Sequence, residues 1–152
     1  LKIEDLIFRS IEIKNEVVLK DPKEQNIRKI LNFGHTLGHA IESFYLAAED
    51  KENLTHGEAI AIGMVCECFM SAKLLGFPTE KVKEVKDVVL SIYSKTALLT
   101  DDFTGIMELL KHDKKNVNGQ VNFVLLKDFE DYKLDCKVPE ELIIESMEFY
   151  NA

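Results

Sequence analysis

Arg28-Lys29-Ile30-Leu31-Asn32-Phe33-Gly34-His35-Thr36-Leu37-Gly38-His39-Ala40 decides how this chain is read, together with Leu54-Thr55-His56-Gly57-Glu58 downstream. Three of the four histidines lie in this window. The apolar spacing predicts one helix over at least Ile27 to Leu46, with room for an earlier first turn. At about 100° per residue, that helix sets Arg28, Asn32, His35, His39 and Glu42 on one face. Ile30, Leu31, Phe33, Leu37 and Ile41 flank the line. A cation, an amide, two imidazoles and a carboxylate in a core-like helix need partners. A metal ion and an anionic substrate are the natural ones.

Gly34 and Gly38 each cost helix stability, about 1 kcal/mol relative to alanine. Four residues apart, they leave a smooth side where another backbone can approach. The next helix offers a matching side at Ala59 and Gly63. It should start at Thr55, with Glu58 completing a capping box, and stop at Gly76 before Pro78. Close packing of these two helices would bring His56 near His35.

Around this pair the pattern is mainly helical. Ile7, Ile11, Lys14 and Val18 mark a first helix from Ile3 to Lys20, ended by Asp21-Pro22. Thr79 opens a fourth helix to about Tyr93, and Phe103–Leu110 is a short fifth. Asn118-Gly119 signals a turn. Val121–Leu126 reads as a strand that Tyr132–Val138 can pair with. Pro139 opens the last helix, which ends near Tyr150. The expectation is one domain over residues 1–152, mainly α and bundle-like, with at most a small β ribbon.

Bulk properties agree with a soluble globular domain. The chain has 152 residues, 46% hydrophobic and 30% charged, enough for one core. A net charge of −8 argues against nucleic acid or a membrane surface as partner. There is no run of about 18 apolar residues and no leader pattern, so a cytoplasmic location is expected. Cys66, Cys68 and Cys136 lack CxxC spacing and read as reduced thiols. Cys66, Met64, Phe69 and Met70 read as core. A start at Leu1 suggests a processed or partial chain.

Each polar feature has two readings. His35-x-x-x-His39 is either a two-histidine metal clamp, since i and i+4 share a face, or a pair of buried histidines bonded to carbonyls. Arg28, Asn32 and His56 favour the clamp, with Glu42 or Glu58 as an outer partner. Lys14 lies on or beside an apolar stripe, either snorkelling or aimed at a ligand. Asp113-Lys114-Lys115-Asn116 is either a solvated turn or a phosphate-binding segment. His112 reads as surface.

The run Arg28-Lys29-x-Leu31-Asn32-Phe33-Gly34-His35-Thr36-x-Gly38-His39-Ala40-x-Glu42 resembles the signature of 3-dehydroquinate synthases. Lys14-x-x-Val17-Val18 precedes it. His56-Gly57-Glu58-Ala59-x-Ala61-x-Gly63-Met64, Asp113-Lys114-Lys115 and Phe123-Val124-Leu125-Leu126 follow in the family's order. The resemblance covers nearly the whole chain, but only the C-terminal half of the family enzyme. Sister sugar-phosphate cyclases such as 2-deoxy-scyllo-inosose synthase carry related motifs. Glycerol dehydrogenase-like enzymes share the architecture with a looser histidine pattern.

The resemblance implies a Zn²⁺ or Co²⁺ ion held by His35, His56 and a glutamate upstream of this chain. It implies NAD on a missing N-terminal domain, and a homodimer in the full-length enzyme. It gives His39 a place beside the substrate phosphate, assisting proton transfer. Lys14, Arg28, Asn32 and Lys114 become substrate ligands, Lys14 also a catalytic group, with Lys115 the alternative register for Lys114. The implied reaction cyclises 3-deoxy-D-arabino-heptulosonate 7-phosphate to 3-dehydroquinate in the shikimate pathway. The chain by itself should be inactive. A non-enzymatic metal-binding helical module is the alternative from a different class.

Overall fold

The structure is a computed structural model and describes residues 2–112 and 121–152. Among these residues, six α-helices, one 3-10 segment and a two-stranded ribbon follow in the order α1 (Ile3–Lys20), 3-10 (Ile27–Asn32), α2 (His35–Ala47), α3 (His56–Leu75), α4 (Thr79–Ile92), α5 (Asp102–His112), β1 (Phe123–Asp128), β2 (Asp131–Cys136) and α6 (Glu140–Asn151). The expected mainly α domain with one small ribbon is what forms.

Helix α3 is the centre. Apolar residues surround its whole circumference, as befits a buried helix, and α2, α4, α6 and β1 all pack on it. Thr55 and Glu58 form the predicted capping box at its start: the Glu58 N–H donates to Thr55 Oγ1, and the Thr55 N–H donates to Glu58 Oε2. Gly76 ends it in the left-handed conformation. The main core joins Leu37 and Ile41 of α2, Val65 and Met70 of α3, Ile106 and Leu110 of α5, Leu125 of β1 and Met147 of α6. Ser71 ties α3 to the ribbon, its Oγ accepting the Leu126 N–H at 2.9 Å. The strands pair antiparallel, with Phe123 opposite Cys136.

Two expectations change. First, Ile27–Leu46 is not one helix. Ile27–Asn32 is a 3-10 segment, the chain turns at Phe33 (ψ 127°) and Gly34 (φ 80°), and α2 begins at His35. The 100° arithmetic therefore holds for His35, His39 and Glu42 but not for Arg28 and Asn32. Gly34 is glycine for two reasons. Its φ is left-handed, where an L side chain is strained, and a Cβ there would lie 2.5 Å from Met64 Cγ and 2.9 Å from the Ile60 carbonyl.

Second, the apolar stripe of α1 is not core. Val17 is buried, but Ile7, Ile11 and Phe8 are exposed, Phe8 at 68%. This helix meets the rest of the fold chiefly at the 3-10 segment. Asp21 makes that junction, its carboxylate accepting the N–H groups of Gln25, Asn26 and Arg28. Those bonds, Asn26 first, hold the Asp21 carboxyl below its usual range.

Candidate metal and substrate site

Where α2 and α3 touch, their backbones nearly meet. A Cβ on Gly63 would fall 2.0 Å from the Gly34 carbonyl oxygen, and one on Gly38 would fall 2.9 Å from the Ala59 carbonyl. The small faces read from the sequence thus pack directly on each other. The consequence is that His56, first residue of α3, stands beside the first two turns of α2.

His35, His39 and His56 converge. Ring centroids lie 5.3 Å apart for His35–His39 and 5.6 Å for the two pairs involving His56. Each can place one ring nitrogen within 4.8 Å of the other two. His35 and His39 are half-buried, whereas the His56 side chain is 57% exposed. The cluster is therefore open to solvent on the α3 side.

The outer partners are chemically informative. His35 Nδ1 faces the Phe33 carbonyl at 3.2 Å. His56 Nδ1 lies 3.1 Å from Glu42 Oε2. A carbonyl or carboxylate can only accept, so in the neutral ring each Nδ1 carries the proton and each Nε2 keeps its lone pair. That is the pattern of metal-ligating histidines, whose second nitrogen is held by an acceptor. Imidazole nitrogen suits Zn²⁺ and Co²⁺, so the donor set fits the ion that the family resemblance implies. Of Glu42 and Glu58, the two outer partners considered, Glu42 is the one against His56, and Glu58 is occupied as the α3 cap.

Arg28 and Asn32 project from the 3-10 segment. One carboxylate engages both: the Asn32 amide donates to Glu24 Oε1 at 2.6 Å, and Arg28 Nε lies 3.9 Å from Glu24 Oε2. The Arg28 guanidinium also donates to the Pro22 carbonyl at 2.9 Å. Glu24 has a left-handed φ of 54°, a conformation that costs a non-glycine residue energy. The segment is anchored to the ribbon by Lys29, which pairs with Asp135 at 2.7 Å. Lys14 is exposed on α1. Lys114 and Lys115 lie outside the described residues. His112 is exposed, as expected, and Cys66, Cys68 and Cys136 are free and buried.

Glu67 was not among the residues picked out from sequence. It is the sole charged side chain between Glu58 and Lys73, which was the available signal. Its side chain is 0% exposed. Oε2 accepts the Gly34 N–H at 2.7 Å, and Oε1 has no hydrogen-bond partner. Burial pushes its carboxyl up to about 8, against the pull of the Gly34, Leu37 and Thr36 N–H groups. An acid whose folded value is raised binds more protons folded than unfolded. Stability is then fullest below the unfolded value of 4.5, falls as pH rises to about 8, and levels off above. Relative to Glu67→Gln, the wild type should lose on the order of a few kcal/mol across that window. Paired melts from pH 5 to 9 check this; a pH-independent gap contradicts it.

The fold and the histidine cluster define a helical domain with three imidazoles that could hold a metal ion. Residues 1–116 match the family model described as 3-dehydroquinate synthase C-terminal. The chain belongs to that family. It is 43% identical over 148 residues to a 3-dehydroquinate synthase of Parabacteroides distasonis, covering 97% of this chain and 41% of that protein. It is 40% identical over 146 residues to one from Thermoanaerobacter pseudethanolicus, covering 93% and 39%. The chain thus spans about two fifths of the length of these curated relatives. Among solved structures it resembles a 2-deoxy-scyllo-inosose synthase complexed with carbaglucose-6-phosphate, NAD⁺ and Co²⁺, at TM-score 0.75 and 27% identity, covering 90% of this chain and 39% of that one. No described helix is long and apolar enough to cross a membrane.

Proposed function

We propose that this chain is the metal- and substrate-binding half of an enzyme that converts 3-deoxy-D-arabino-heptulosonate 7-phosphate to 3-dehydroquinate and phosphate. The observation that carries the reading is the convergence of His35 and His56, each with Nδ1 held by an acceptor and Nε2 left to bind a metal. Identity over nearly the whole chain favours this substrate over a hexose phosphate.

In this reading His35 and His56 hold Zn²⁺ or Co²⁺, with a third ligand from a preceding NAD-binding domain. Bound together, the ion supplies Lewis acidity to substrate hydroxyl oxygens and NAD⁺ supplies transient oxidation at C5. Arg28 and Asn32 take the substrate carboxylate. Glu24 supports this, because its own carboxylate already lies against both groups, and substrate would displace it. The guanidinium offers a planar fork to a carboxylate. His39 moves the hydroxyl proton during oxidation and return, a task suited to an imidazole near neutral pH. Lys14 and Lys114 pair with the anionic groups of the substrate. Once C5 is a carbonyl, C6 is acidic enough for phosphate to leave, with the phosphate itself as base. Positioning then carries much of the rate.

The exposed apolar residues of α1 fit this division of labour. Ile3, Ile7, Phe8 and Ile11 have no cover within the described residues, and a preceding domain would supply it. The test is turnover of the heptulosonate phosphate by the intact protein with NAD⁺ and Co²⁺, beside glucose 6-phosphate. Phosphate release from the first substrate alone is expected, and none from residues 1–152 by themselves. Turnover of glucose 6-phosphate, or of neither, would contradict the assignment.

A further inference from the structure

We propose that Glu67 is a positioning residue for His35, acting through the peptide group that joins Phe33 to Gly34. The inference rests on the reading of His35 as a metal ligand. That peptide group is held at both ends. Its N–H donates to Glu67 Oε2 at 2.7 Å, and its C=O accepts from His35 Nδ1 at 3.2 Å. Histidine ligands commonly donate their second nitrogen to a carboxylate or a carbonyl. Here the carboxyl stands one peptide group further out, and two hydrogen bonds on one peptide polarise each other. Fixing the peptide plane fixes the acceptor that keeps the proton on Nδ1 and aims Nε2 at the cleft.

Glu67 also replaces a cap that α2 cannot supply for itself. The N-cap position is Gly34, and Met64 and Ile60 leave no room for a side chain there. A usual N-cap side chain would accept from the second or third helical N–H, which are Thr36 and Leu37. Glu67 reaches the same turn from α3, and the N–H groups of both residues act on its carboxyl. Retaining a fully buried carboxyl in the apolar run Ala59–Ala72 is costly. An apolar side chain would fill α3 equally well but would leave the Gly34 N–H without an acceptor.

The test uses the intact protein and Co²⁺ alone as probe, titrated by competition and followed by visible absorption. Glu67→Met should weaken Co²⁺ binding by about 10- to 100-fold and alter the spectrum. Glu67→Gln keeps a carbonyl acceptor and should recover most of the affinity. Nitrogen NMR of the metal-free wild type should find His35 protonated at Nδ1. Three results overturn the inference: wild-type affinity and spectrum in Glu67→Met, equal losses in Met and Gln, or His35 protonated at Nε2. If Glu67→Met does not fold, the Gln variant and the His35 tautomer decide. A wild type that binds no Co²⁺ would sink the metal assignment itself, and this inference with it.

Discussion

His35→Ala should abolish stoichiometric metal binding in the intact protein and lower kcat by at least about 10³-fold, since a catalytic metal contributes several kcal/mol of transition-state stabilisation. The residue has no substitute. It opens α2, and the Phe33 carbonyl holds its Nδ1 at 3.2 Å. His39→Ala should behave differently, although its ring lies only 5.3 Å from that of His35. Metal content should persist while kcat falls by about 10²- to 10⁴-fold, the usual worth of a proton-transfer group. Metal analysis of the purified variants, beside steady-state kinetics, separates the two roles. Equal loss of metal in both variants would make His39 a ligand and remove it from the proton-transfer role.

Gly63→Ala should be the most damaging single methyl that the described residues can receive. Its Cβ would sit 2.0 Å from the Gly34 carbonyl oxygen and 2.9 Å from the Gly38 nitrogen, both backbone atoms that no rotamer change can move. Overpacking of this kind costs about 3 kcal/mol, more than the ~1 kcal/mol that alanine gains over glycine in a helix. The two helices must separate, and with them His35 and His56, so Co²⁺ affinity should fall along with the melting temperature. Gly57→Ala is the control. Its nearest neighbour is the Tyr93 hydroxyl at 3.5 Å, an ordinary contact, and its stability should stay within about 0.5 kcal/mol of wild type. A Gly63→Ala protein as stable as wild type would refute the backbone contact between α2 and α3.

Much of this arrangement was legible from residues alone, because it depends on local chemistry. Asp21-Pro22 ends α1, Thr55 and Glu58 cap α3, Gly76 closes it, and Pro139 precedes α6, all where the sequence places them. The small faces at Gly34, Gly38, Ala59 and Gly63 foretold the contact that brings His56 to His35. The break before α2 was not legible. Glycine at 34 satisfies both a helix interior with a smooth side and a left-handed turn, and periodicity cannot choose between them. Tertiary contacts accompany the turn: Glu67 reaches from the next helix to hold the Gly34 N–H, and Met64 and Ile60 crowd the glycine. The exposure of α1 escaped for a related reason. An amphipathic pattern reports that a face needs cover, not which part of a protein covers it. For Lys114 the expectation stands outside the described residues.

Arg28 and Asn32 leave the line that periodicity drew for them. The straight helix that aligned them with the histidines does not exist. They meet instead on the Glu24 carboxylate, from a 3-10 segment pinned by Asp21 and Lys29. The Arg28–Asn32–Glu24 cluster and the histidine cluster are therefore positioned by separate devices, joined at Phe33 and Gly34.

The most direct measurement is a zinc-edge anomalous difference map from crystals of the intact protein grown with Zn²⁺. One peak is predicted at about 2.0–2.1 Å from Nε2 of both His35 and His56, with His39 beside the ion but not bonded to it. A peak ligated by His39 in place of either, or no peak between α2 and α3, would contradict the site.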